Sequence, residues 1–171
     1  MNLLVMRRMM ALPVVLLSML VTACGLHCKN SSSETLTVYQ DAPKMNPLDV
    51  GPPGNSPGDV YYFSALLHSS SGGPVIGEVF GAKTLIKTAA DASTNVEQRA
   101  TALIFTFRNR EDQIVVMGVP EYPANAAEFN QGQPVVRAIL GGTGKYIGAR
   151  GQLTSTRSAD GSYIQVFTLL K

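Results

Sequence analysis

The chain has 171 residues, 14 basic and 12 acidic side chains, two cysteines and no tryptophan, a size at which one domain can bury its own core. Arg7 and Arg8 are the only charged residues of the first 23; without that stretch the formal charge is zero, which excludes the basic surplus of a nucleic-acid binder. Two cysteines are too few for a disulfide-stapled scaffold.

Arg7 and Arg8 precede an apolar run over residues 9–20, the pattern of a secretory signal and shorter than the roughly 20 residues a membrane-spanning helix needs. Val21-Thr22-Ala23-Cys24 is similar to a bacterial lipobox, in which the cysteine is lipidated and becomes the new N-terminus. The expected organisation is a signal peptide over 1–23, a lipidated tether over 24–33 carrying the lipid on Cys24, and a single domain over 34–171. The alternative is an ordinary secretory signal cut near Ala23, with Cys24 and Cys28 free or closing a small loop. Either places the protein in the cell envelope or outside it.

Beyond residue 34 no window holds a helical stripe, whereas β-branched and aromatic runs recur between Gly, Pro, Asn, Asp and Ser clusters. The expected strands are 34–40, 59–68, 75–87, 98–109, 113–119, 134–140, 145–157 and 162–170. Eight strands at hairpin-like spacing make an all-β barrel or sandwich. Residues 69–73, 141–144 and 159–161 have the glycines and aspartate that tight turns require. Residues 42–58 and 120–133 are too long for that, and could rim a barrel mouth or be plain surface excursions. In the fourth strand Leu103, Phe105 and Phe107 alternate with Ala100, Ala102 and Ile104, so neither face is polar. A monomeric barrel should show a polar outer face. Strands apolar on both sides imply that some outer surface is covered, most simply by self-association.

Leu140-Gly141-Gly142-Thr143-Gly144-Lys145-Tyr146-Ile147-Gly148-Ala149-Arg150-Gly151 resembles the GGTG-x-aromatic-x-x-ARG stretch of dirigent proteins. Val75-Ile76-Gly77-Glu78-Val79-Phe80-Gly81 is similar to the glycine-spaced strand of the allene oxide cyclase and dirigent superfamily, and Gly58-Asp59-Val60-Tyr61-Tyr62-Phe63 to the strand before it. The resemblance implies an eight-stranded antiparallel up-and-down barrel with a hydrophobic cavity, usually a homotrimer, acting on a small hydrophobic molecule without a cofactor. Plant allene oxide cyclases place a glutamate after a Val-Tyr pair on the first strand, near an asparagine; here Gln40 and Ala42 stand instead. Dirigent proteins place an aspartate at that strand's end, and Asp41 matches it, although the histidine before it has become Gln40.

Asp41 is thus the candidate acid, if barrel walls desolvate it; otherwise it is a turn aspartate bonded to its own backbone before Pro43. Tyr39, Glu78, Arg137 and Gln165 are polar residues on expected strands and become cavity candidates wherever they point inward. The other reading turns them outward or into cross-strand pairs. The Gly-Lys pair at 144–145 lacks the rest of a phosphate-binding loop, and His27 and His68 have no partners at metal-ligand spacing. Two functions fit: an isomerase or cyclase steering ring closure of an unsaturated intermediate, or a non-catalytic ligand-binding or structural envelope lipoprotein.

Overall fold

The computed structural model describes residues 32–171; the expected signal peptide, Cys24 and most of the tether lie outside them. The short β-branched runs form ten strands: β1 (Ser33–Gln40), β2 (Lys44–Leu48), β3 (Val60–His68), β4 (Val75–Lys87), β5 (Val96–Phe107), β6 (Asp112–Gly118), β7 (Glu121–Pro123), β8 (Pro134–Thr143), β9 (Gly151–Arg157) and β10 (Tyr163–Leu170). One short helix, α1 (Ala89–Ala92), closes the β4–β5 connection, with Thr88 and Asp91 forming a capping box.

All neighbours are antiparallel, in the order β1-β10-β9-β8-β6-β5-β4-β3-β2. The sheet closes where Tyr39 and Gln40 of β1 pair with His68 and Leu67 of β3. Further along the same edge of β3, β2 takes over from β1 after the break at residues 41–43. In the same way β7 extends the line of β6 along β5. The ten segments therefore make eight staves and leave no open edge, the arrangement that removes unpaired strand groups.

All eight expected strands are present. The long stretches 42–58 and 120–133 additionally hold β2 and β7. Residues 141–143 continue β8 instead of forming the turn their glycines suggested, and only Gly144 lies in the reversal. β8 runs on to Thr143, whose Oγ1 donates to the Glu111 carbonyl (2.9 Å) while the Lys145 N–H donates to Asp112 Oδ1 (2.9 Å), so the chain reverses through residues 144–150 and β9 starts only at Gly151. β1 likewise starts inside the expected tether, because Ser33 pairs with Leu170.

Period-two alternation fills one half of the barrel with Val38, Phe63, Leu67, Val79, Leu103, Phe105, Ile114, Val116, Leu153 and Phe167. Phe105 and Phe167 meet edge to face at 4.9 Å, a geometry that adds roughly 1 kcal/mol to the burial of the two rings. Gly81 lets the Phe63 ring lie across β4, since a Cβ there would strike it. The outer face is apolar too: register aligns Tyr62, Ala82, Ala102, Met117 and Ala138 in one row across β3, β4, β5, β6 and β8, beside Phe80, Ile104 and Val115 in the next. Tyr62, Ile104 and Met117 are exposed.

Candidate functional site

Followed away from the apolar half, the inward positions turn polar on stave after stave. On β4, Val79 and Gly81 give way to Lys83; on β5, Leu103 to Thr101, Arg99 and Glu97; on β8, Ile139 to Arg137; on β9, Leu153 to Ser155; on β10, Phe167 to Gln165; on β1, Val38 to Gln40. All of these polar side chains are buried. Buried polar groups are costly unless paired, and a belt of bonds crosses four staves to pair them. Arg137 Nη1 donates to Ser155 Oγ (3.1 Å), Ser155 Oγ to Gln165 Oε1 (2.6 Å), and Gln165 Nε2 to Gln40 Oε1 (2.7 Å). Arg137 Nη2 also reaches Tyr122 Oη at 3.4 Å, and Thr101 Oγ1 lies 3.2 Å from the same oxygen.

Beside the belt, Arg99 lies between the Tyr61 and Tyr122 rings, 4.7 and 4.8 Å from their centres, and pairs with Glu97 at 2.5 Å. Burial pushes the Glu97 carboxyl up, but hydrogen bonds from the Asn125 N–H (3.0 Å), Asn55 (2.6 Å) and Arg99 outweigh it and leave the pKa below the usual value. Glu97 thereby ties both long loops to β5.

Residues 124–133 cross the mouth and insert two side chains. Lys83 Nζ donates to Glu128 Oε2 (3.0 Å) and to the Ala127 carbonyl (3.1 Å), and the Tyr163 hydroxyl donates to the same Glu128 oxygen. The Phe129 ring packs against Tyr122 and Tyr163 with centroids at 5.9 and 5.3 Å, and the Arg137 guanidinium lies 5.6 Å from its centre. Burial pulls the Lys83 pKa down to about 8, with Glu128 offsetting part of the effect. Burial, and then Glu128, raises that of Tyr163, which stays a protonated donor. The cavity left between belt and loop is about 20 Å³, room for one water.

Charge in this half does not balance. Lys83, Arg99 and Arg137 face Glu97 and Glu128. Arg99 pairs with Glu97 and Lys83 with Glu128; Arg137 has no carboxylate partner among the described residues, and its Nε is without any partner. The site can therefore offer a guanidinium donor to an oxygen atom held above an apolar floor. No group of three or more His, Cys, Asp or Glu side chains among the described residues is placed to hold a metal ion.

No family model matches the chain, and no curated protein matches it in sequence. Solved structures do. Pyocyanin demethylase is 25% identical with a TM-score of 0.59, over 81% of this chain and 99% of that one. A pterocarpan synthase dirigent protein is 19% identical with a TM-score of 0.52, over 92% and 97%. The barrel is of the allene oxide cyclase and dirigent type. A nonspecific heme-binding cyclase that catalyses a cycloaddition during neoabyssomicin biosynthesis has a TM-score of 0.58 at 15% identity, over 84% of this chain; the chain spans 66% of that protein's length.

In this dirigent-type barrel Arg137 and Gln165 lie together in the buried belt. Glu78 turns outward and approaches Arg110 at 3.6 Å. Tyr39 has the opposite parity to the buried Val38 and Gln40 and also lies outside. Asp41 does not line the cavity. Its side chain is 54% exposed and faces His68, with Oδ1 3.0 Å from Nε2, so the desolvation its acid role required is lacking; β1 ends at Gln40, and it is Gln40 that points inward. Lys83, Arg99, Ser155, Tyr163 and the Glu128-Phe129 pair are further site residues that were not among the sequence candidates. Parity would have found the first two, since Lys83 shares a face with Val79 and Arg99 with Leu103 and Phe105. Phe129, the one phenylalanine in a long loop, is the signal for the inserted pair.

Proposed function

We propose that the protein binds a small, largely apolar, unsaturated molecule inside the barrel and steers its ring closure or isomerisation. The observation that carries this is Arg137: a buried cation without a carboxylate, set where an apolar floor meets a polar wall. Such a group is expensive to keep unless it meets an oxygen that arrives from outside. Phe63 and Leu103 would hold the apolar skeleton, the Arg137–Ser155–Gln165–Gln40 belt would orient its polar end, and the Arg137 guanidinium would donate to the oxygen. Rate enhancement would come from holding one folded conformer away from water. The pyocyanin demethylase, cyclase and dirigent neighbours support small-molecule chemistry in such a barrel, although fold alone does not assign the reaction. The small free volume favours a second reading, a structural barrel that holds nothing.

Mass spectrometry of small molecules extracted from the purified full chain separates the two. The enzyme reading expects a retained unsaturated molecule that Arg137→Met no longer retains. Retention of nothing, under conditions where the barrel melts cooperatively, supports the structural reading. The leader and Cys24 further support export and lipid anchoring in the cell envelope, and Cys24→Ala should then release the protein from membranes.

A further inference from the structure

The two side chains that fill the mouth are joined to the rest of the barrel differently from the walls. We infer that residues 126–131 form a displaceable plug, and that the Glu128 carboxylate and Phe129 ring occupy the places of an acidic, flat, unsaturated ligand. The inference rests on the small-molecule reading above and names the ligand class.

Three observations carry it. First, the segment is bracketed by two residues in the left-handed region, Asn125 (φ 62°) and Gly132 (φ 74°). Both ends are fastened, the Asn125 N–H to Glu97 and the Gly132 N–H to the Arg157 carbonyl (2.9 Å), so displacement would bend the chain at two defined points. Second, the plug is held by contacts that a ligand can reproduce. Glu128 pairs through one oxygen only; its Oε1 is buried without a partner. Phe129 sits between Tyr122 and Tyr163 with Arg137 near its ring, a slot that any flat π-system would fit.

Third, charge selects what may replace it. Withdrawing Glu128 leaves Lys83 and Arg137 in the cavity with no carboxylate between them, while Arg99 keeps Glu97. A neutral molecule would leave the Arg137 guanidinium, which cannot shed its proton, buried without a counter-charge, a costly deficit. A carboxylate, enolate or phenolate removes it, and a carboxylate can engage both cations where Glu128 engages one. The cavity of about 20 Å³ is then the space left beside an internal competitor, not the size of the ligand site.

The test titrates the full-length protein with naphthoate and, as neutral counterpart, naphthamide, following probe fluorescence. Glu128→Gln and Phe129→Ala should each bind naphthoate about tenfold more tightly than the wild type, the factor expected if the plug is withdrawn a tenth of the time. Naphthamide should show no such gain, and Arg137→Met placed in the Glu128→Gln protein should abolish it. In the wild type, saturating naphthoate should speed amide exchange in residues 126–131 and leave the strands unchanged. Equal naphthoate affinity in the wild type and both variants, or exchange that does not change, overturns the plug while leaving the small-molecule site standing. An equal gain for naphthamide overturns the acidic class. Failure of both probes to bind any folded variant overturns the plug and the small-molecule reading together.

Discussion

Lys83 is the side chain at which burial and charge oppose each other most directly. Its proton leaves the folded protein at about pH 8 because burial disfavours the ammonium more than Glu128 favours it, whereas an unfolded chain keeps that proton to about pH 10.4. Between pH 8 and 10 the unfolded state therefore binds more protons, and stability should rise with pH by about 2 kcal/mol across that window. Above pH 10 the rise should stop, because the raised Tyr163 pKa makes the folded state the better proton holder there. Urea unfolding at a series of pH values measures this, and Lys83→Met should flatten the rise. Asp41 has a different task. His68 donates from Nδ1 to the Gly73 carbonyl and, when protonated, pairs through Nε2 with Asp41; these contacts raise its pKa. Asp41→Asn should lower the His68 pKa in proton NMR and leave ligand retention unchanged. Arg137 and Gln165 were legible as polar residues on strands. Lys83 and Arg99 were not, since a charged residue in an apolar run suggests a solvent-facing position unless parity is carried through from the core.

At the scale of elements, hydrophobic runs and turn residues located every stave, because an eight-stranded barrel repeats one signal eight times. The signal weakened where backbone contacts decide the path. Glycines at 141, 142 and 144 suggest a turn, yet hydrogen bonds from Thr143 and Lys145 carry β8 past the first two. Gly144, at a φ of 57°, opens the reversal, and Gly151 ends it at a φ of 136°, where a Cβ would collide with the Thr168 carbonyl of the adjacent β10. Gly151→Ala should destabilise the barrel by about 2 kcal/mol or more, read as a lower urea midpoint at unchanged slope. The inserted loop was legible only as too long, because what it does depends on Glu128 and Phe129 meeting residues from β4, β8 and β10.

For the whole molecule, closure through β1 and β3 leaves the outer band as the unsatisfied surface. Tyr62, Phe80, Ile104, Val115 and Met117 form a continuous apolar strip across four staves, of the kind that marks an association site. A homotrimer, as the sequence resemblance implies, would cover it, and three lipid anchors on one assembly would bind a membrane far more firmly than one. Met117→Lys should reduce the sedimenting mass to that of a single chain without lowering the melting temperature, since the side chain touches no core. The interior holds the proposed chemistry. The crystal structure of the Glu128→Gln protein grown with naphthoate tests it. The probe's ring should lie between Tyr122 and Tyr163, with its carboxylate within hydrogen-bond reach of Arg137 and Phe129 moved out. Naphthoate bound elsewhere, with Phe129 still in the mouth, would contradict it.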